Sequence, residues 1–189
     1  MSRASTSYVI GYHGCERAVG LAAVNGDTPL IAQDRAYHWL GAGIYFWEND
    51  PHRALEWAQE KASRNELKDP FVIGAILDLG NCLDLQVREN TPILRSAYDD
   101  LVALTERGGK PLPKNRKAPR DRRNDKVMRF LDCAVINHLH RMTDDRFDTV
   151  RGLFIEGDSV YPDGEIFNKT HVEIAVRKYD CIIGLYLPR

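Results

Sequence analysis

Cysteine is scarce in this chain: four residues in 189, Cys15, Cys82, Cys133 and Cys181, lie far apart and form no Cys-x-x-Cys pair. That spacing argues against a disulfide framework or a zinc ribbon and leaves buried thiols in a reducing compartment as the expectation. Long apolar runs are missing too. No segment approaches the roughly 18 apolar residues of a membrane span, and the opening stretch MSRASTSYVIGYHG lacks the continuous apolar core of a signal peptide. A cytoplasmic protein with no membrane partner is expected. Nor is there an excess of charge of either sign: 28% of residues are charged and the formal net charge is -1, so any attraction to nucleic acid must be local. Several motifs of phosphate and nucleophile chemistry are absent as well, including a Walker sequence and Gly-x-Ser-x-Gly. Gly41-x-Gly43 has Phe46 where a dinucleotide fingerprint needs its third glycine, and it leads into a strand rather than a helix. His138 and His140 fall in a helical stretch, where residues two apart do not face one ligand, so no metal is expected.

What remains is ample for one domain of ordinary size, with enough apolar residues to bury a core unaided. Residues 8 to 13, YVIGYH, read as a short strand, and Ala18, Val19, Ala22 and Ala23 then follow at helical spacing until Asn25-Gly26 stops them. An irregular segment delivers the chain to an aromatic strand at 43 to 47. Asp50 and Pro51 read as N-cap and first residue of the next helix, with Leu55, Ala58 and Ala62 as its buried stripe. FVIGAILDLG, 71 to 80, is apolar on both faces and reads as a central strand covered on both sides. Helical spacing recurs at 92 to 106 and at 125 to 141, the latter through Val127, Phe130, Leu131, Ala134 and Val135. Strands return at 151 to 157, 171 to 177 and 181 to 187. Helices and strands in this irregular order predict an α+β fold.

Three places carry residues suited to chemistry. WLGAGIYFWEND, 39 to 50, sets an aromatic strand beside a Gly-Ala-Gly turn, and alternation puts Tyr45 on one face with Gly43 and Trp47 while Ile44 and Phe46 face the core. Plain core packing also explains such a strand. His13 stands at the end of the first strand next to Gly14, whose missing side chain lets a ligand approach the backbone; a local turn histidine is the simpler alternative. In HVEIAVR, Val172, Ile174 and Val176 point one way and His171, Glu173, Ala175 and Arg177 the other. Alone, Glu173 reads as a solvent-facing charge. Asp99 and Asp100 read as helix-surface charges.

In order, YHG, GAGIYFWENDPHRALEWA and HVEIAVR resemble the His-Tyr-Glu motifs of ADP-ribosyltransferases of the diphtheria toxin and poly(ADP-ribose) polymerase type. FVIGAILDLGNCLDL is similar to the next strand of the polymerases, so the likeness covers about 8 to 80 and 151 to 187. The resemblance implies an ADP-ribosyltransferase-like split, curved sheet with flanking helices, as one catalytic domain with a helical, basic insertion at about 90 to 142. It implies NAD as substrate and no metal. By position, His13 would bind the adenine-side ribose, Gly14 the nicotinamide carboxamide through its backbone, and Tyr45 the nicotinamide ring. Trp57, one position off the polymerase spacing, would be the second stacking aromatic, and Glu173 the catalytic carboxylate.

The expected activity is mono-ADP-ribosyl transfer from NAD to a macromolecular acceptor, RNA, DNA or protein. NAD glycohydrolysis is the near alternative; a catalytically silent NAD, ADP-ribose or nucleic-acid binding module is the alternative from another class. Fold-level analogy suggests an intracellular toxin or defence effector. From Arg107 to Arg129 ten basic residues face two acidic ones, a net of +8, which leaves -9 on the rest of a chain of net charge -1. That segment is a candidate phosphate-backbone rim. Without interleaved aromatics it reads equally well as a solvated loop or a dock for an acidic inhibitor.

Overall fold

The computed structural model describes residues 8–117 and 126–189. In chain order these form β1 (Tyr8–Glu16), α1 (Arg17–Val24), β2 (Ile44–Glu48), α2 (Pro51–Ser63), β3 (Pro70–Asp78), β4 (Cys82–Asp84), α3 (Thr91–Arg107), α4 (Phe130–Met142), β5 (Thr149–Phe154), β6 (His171–Val176) and β7 (Ile182–Tyr186). The fold is α+β. Among the described residues one seven-stranded mixed sheet runs β4-β5-β6-β2-β1-β3-β7, parallel at β4–β5 and antiparallel elsewhere.

Each face of the sheet carries a core. Ile44, Phe46, Ile73, Ala75, Leu77, Ile174 and Val176 fill one with Ala23 of α1. On the other, Leu83, Val150, Phe154 and Ala175 meet Ala97 and Leu101 of α3 and Val135, Ile136 and Leu139 of α4. The helices of the expected insertion therefore build half of the interior. Asp100 is more than a surface charge, since its Oδ2 lies 2.7 Å from His138 Nε2 and ties α3 to α4. His140 instead turns Nδ1 to the Ile136 carbonyl at 2.7 Å. Cys15, Cys133 and Cys181 are buried, Cys82 is half-buried, and none of the four is in a disulfide.

Several expected elements are shifted. β1 continues three residues past His13, because its ladder with β3 runs unbroken from Tyr8↔Asp78 to Glu16↔Pro70. β3 is next to an edge strand rather than central: Ile73, Ala75 and Leu77 are fully buried, but Ile76 on the other face is 38% exposed. α4 begins at Phe130, and Val127 lies before it in an extended stretch where Arg116 and Met128 exchange backbone hydrogen bonds of 2.8 and 3.0 Å. The three-residue strand β4 is too short to leave a period in the sequence.

α2 opens as its sequence predicts: the Asp50 carboxylate accepts the Arg53 N–H at 2.8 Å and Pro51 follows the cap. Its buried face is Arg53, Ala54, Ala58 and Lys61 rather than Leu55, Ala58 and Ala62. The rotation follows from Gly14, where any Cβ would collide with the Ala54 carbonyl oxygen. Small residues on both sides let the helix backbone sit directly on β1.

β1 and β2 pair only at Gly11↔Glu48 and Tyr12↔Trp47, while β2 stays paired with β6 from Ile44↔Val176 to Trp47↔Glu173. Beyond Tyr12 the two strands part. Instead of a ladder bond, His13 Nδ1 donates to the Tyr45 carbonyl across the opening at 2.7 Å. Among the described residues no helix is long and apolar enough to cross a membrane.

Candidate functional site

A cleft of about 400 Å³ opens where β1 and β2 part. His13 and Gly14 come to it from β1, Tyr45 from β2, Trp57 from α2 and Glu173 from β6. All five residues singled out in the sequence thus line one concavity, because the sheet order sets β6, β2 and β1 side by side. Its volume lies within the range of small-molecule sites, about 300–1,000 Å³.

The neutral state of His13 follows from its surroundings. Burial holds its pKa below the ordinary value, outweighing the Tyr45 carbonyl, which raises it. With Nδ1–H donated to that carbonyl, Nε2 is the acceptor left for the cleft. Such a nitrogen suits a hydroxyl donor. Gly14 lines the cleft too, but the space its missing side chain leaves is taken by Ala54 and Trp57 of α2. The glycine is required by helix packing, a constraint the sequence reading attributed to ligand approach.

Tyr45 is anchored at both ends. Its hydroxyl donates to the Gly41 carbonyl at 2.7 Å and accepts the Leu40 N–H at 2.8 Å. Gly41 adopts φ +78, which a side-chain-bearing residue rarely tolerates, and a Cβ there would also press on Asn137 Oδ1 at 2.6 Å. The Gly-Ala-Gly turn therefore serves to hold the tyrosine. Burial, and next the charge of Glu173, keep the phenol protonated by raising its pKa well above the ordinary value. The His38 ring lies 4.8 Å from the Tyr45 ring, tilted by 56°. Trp47 lines the cleft on the Tyr45 face, as alternation sets it, but is buried at 3% exposure, with Trp57 at 5.6 Å between ring centres.

Glu173 is 8% exposed, which rules out a solvent-facing charge. It pairs laterally with Trp47 of β2 and Gly152 of β5. Ala175, two residues further on the same face, packs into the core formed with α3 and α4, so Glu173 stands where that core meets the cleft. His171, two residues earlier on the same face, brings Nε2 to 3.3 Å from Glu173 Oε1. Glu156 and Arg53, both 8% exposed, also line the cleft and pair at 3.1 Å.

Sequence reasoning missed Arg53, Glu156 and the part played by His171. Period two already set His171 beside Glu173, but nothing local signals that Glu156, 103 residues from Arg53, returns to it. It also missed one wall. Trp39 donates its indole N–H to the Val127 carbonyl at 2.6 Å, and Trp39, Val127 and Met128 all line the cleft.

Cations and carboxylates alternate at the mouth. Glu66 pairs with Arg35 at 3.5 Å and Arg64 at 3.3 Å and receives Lys61, linking the segment before β2 to the end of α2. Among the described residues no three His, Cys, Asp or Glu side chains are grouped to hold a metal ion. No family model matches the chain, and neither a curated protein nor a solved structure matches it.

Proposed function

We propose that this chain is an NAD-dependent mono-ADP-ribosyltransferase with an ADP-ribosyltransferase-like split sheet, and that the cleft between β1 and β2 binds NAD. The observation that carries this reading is the convergence of His13, Gly14, Tyr45, Trp57 and Glu173 on a single cleft. The two-pair seam between β1 and β2 supports the split-sheet part of it.

The chemistry asks little of the protein. Cleaving the bond between nicotinamide and ribose builds positive charge on the ribose, as in glycoside cleavage. Nicotinamide departs from a pyridinium as a neutral base, so no general acid is required. Glu173 is a buried carboxylate whose charge opposes the one that develops in the transition state, where such an interaction raises rate most. Tyr45 and Trp57 supply aromatic surface for the departing ring, and the neutral His13 accepts a ribose hydroxyl. Arg53 and Lys61, both lining the cleft, are cations within reach of a diphosphate.

The acceptor is a macromolecule, and the basic segment Arg107 to Arg129 favours one with a phosphate backbone. The test is incubation of the protein with adenine-labelled NAD and a whole-cell extract. Label is expected in a macromolecular fraction, sensitive to nuclease or to protease according to the acceptor, with nicotinamide released in step. Release of nicotinamide with all label as free ADP-ribose would make the protein a glycohydrolase. A protein that neither binds NAD nor releases nicotinamide would overturn the reading.

A further inference from the structure

His171 is a deeply enclosed ionisable group beside the cleft. It is 5% exposed and does not itself line the cavity, whereas Glu173 and Glu156 do. Its Nδ1 lies 2.6 Å from the Lys169 carbonyl, and because a carbonyl only accepts, Nδ1 carries a hydrogen. The neutral ring would then turn a bare lone pair at Nε2 toward Glu173 Oε1, 3.3 Å away. An ionised carboxylate has only lone pairs to offer in return. A proton on Nε2 converts that repulsion into attraction, even though the contact lies off the direct donor line.

Charge balance points the same way. Glu156 Oε2 stands 3.9 Å from Nδ1, so the ring lies between two buried carboxylates. Arg53 meets Glu156 at 3.1 Å and supplies one positive charge; the imidazolium supplies the second. On the remaining sides are the rings of Trp39, stacked at 5.9 Å, and Phe154, at 6.0 Å. Arg129 lies beyond them, 4.3 and 5.0 Å from those two rings, and the Lys169 ammonium is turned toward Glu56 and Glu60.

We propose that His171 is a positioning residue for Glu173: as an imidazolium between Glu156 and Glu173, it holds the Glu173 carboxylate in place at the cleft wall. This rests on the reading of Glu173 as the group that acts on NAD. Burial pulls the His171 pKa down, but the hydrogen-bonding and charge of Glu173 and the Lys169 carbonyl lift it above the ordinary value of 6.5. The group therefore contributes stability fully below pH 6.5 and loses it as pH rises through the raised value. Turnover should fall over the same range.

Two amide replacements separate the ring's nitrogens. His171→Asn keeps a donor for Lys169 but has nothing at the Nε2 position; His171→Gln keeps a donor toward Glu173 that has no proton to lose. Nicotinamide release is followed against pH for the wild type and both variants, with NAD binding measured by calorimetry. The histidine side chains are titrated by NMR in the absence of NAD, and the His171 signal is assigned by its loss in His171→Gln.

The wild-type His171 is expected to titrate above 6.5, and Glu173→Gln should lower it by about one unit or more. Asn should lower kcat about tenfold or more with NAD affinity unchanged, as expected of a misplaced catalytic group. Gln should keep most of the turnover and lose the decline with rising pH. His171 titrating at or below 6.5 and indifferent to Glu173→Gln would overturn the proposal, as would an Asn variant with wild-type kcat and pH profile. Should the wild type neither bind NAD nor release nicotinamide, the proposed function fails, and the NMR titration still decides the coupling of His171 to Glu173.

Discussion

At the scale of single residues, the cleft is built from groups whose protonation is fixed by what surrounds them. Glu173→Gln keeps shape and removes charge, so it should lower the rate of nicotinamide release by about 10²–10³-fold, the range for losing one electrostatic stabiliser of a transition state. NAD affinity should stay near the wild-type value in calorimetry, since the lost interaction is strongest in the transition state. Equal loss of affinity and rate would reduce Glu173 to a shaper of the pocket. Tyr45→Phe keeps the ring and deletes a hydroxyl with two backbone partners, the Leu40 N–H and the Gly41 carbonyl. Leaving them unpaired should cost about 1–3 kcal/mol of stability by urea unfolding, with NAD affinity little changed. An unaltered midpoint would mean that the Gly-Ala-Gly turn holds itself. His13 has the opposite sign from His171. Its folded-state pKa is lowered, so its contribution is present above pH 6.5 and is lost as pH falls toward the lowered value. His13→Asn retains a donor for the Tyr45 carbonyl without titrating. Between pH 6.5 and the lowered value the wild type should therefore lose up to about 1.4 kcal/mol per pH unit more than the variant, read as the difference between their urea midpoints across pH.

At the scale of elements, one contact sets the geometry of the aromatic wall: Ala54 of α2 resting on Gly14 of β1. Gly14→Ala must push the helix outward, and α2 carries Arg53, Trp57 and Lys61 with it. The cost should be about 1–3 kcal/mol, typical of overpacking, with a clear loss of NAD affinity because three cleft residues move together. A variant that loses stability yet binds NAD normally would separate the helix from the site. This contact also marks where the sequence stops being legible. Period two announced Phe46, Ile174 and their cleft-facing neighbours, and Asp50-Pro51 announced the start of α2, because these signals are local. Of the stripe Leu55, Ala58 and Ala62 only Ala58 is fully buried, because the rotation of a helix about its axis is decided by its partner, here a glycine 40 residues before Ala54. Val127 was counted into a helix for a related reason. Its apolar spacing fits one, but backbone exchange between Arg116 and Met128 holds that stretch extended. Burial of Glu173 depended on β2 and β5 flanking it on both sides of β6, a strand order with no local signature.

At the scale of the whole molecule, charge is divided. The segment from Arg107 to Arg129 carries a net +8 and the rest of the chain -9. Its C-terminal stem is attached to the cleft: Val127 accepts from Trp39, Met128 bridges to Arg116, and the Arg129 guanidinium lies 4.3 Å from the Trp39 ring. A phosphate backbone following this segment would be led to the wall where Trp39 and Met128 meet the cavity. Arg120, Arg122 and Arg123 lie outside the described residues, between Lys117 and Lys126. Neutralising all three should weaken nucleic-acid binding and reduce its salt dependence by up to about three phosphate contacts, each worth roughly 0.7–0.9 in the slope of log K against log salt. Transfer to the acceptor should slow, while NAD affinity and NAD hydrolysis by water stay unchanged, because no step at Glu173 uses these arginines. If the triple variant labels its acceptor at the wild-type rate at both low and high salt, the segment has no part in acceptor choice. Binding of an acidic protein that is lost in the same variant would then assign the basic surface to an inhibitor.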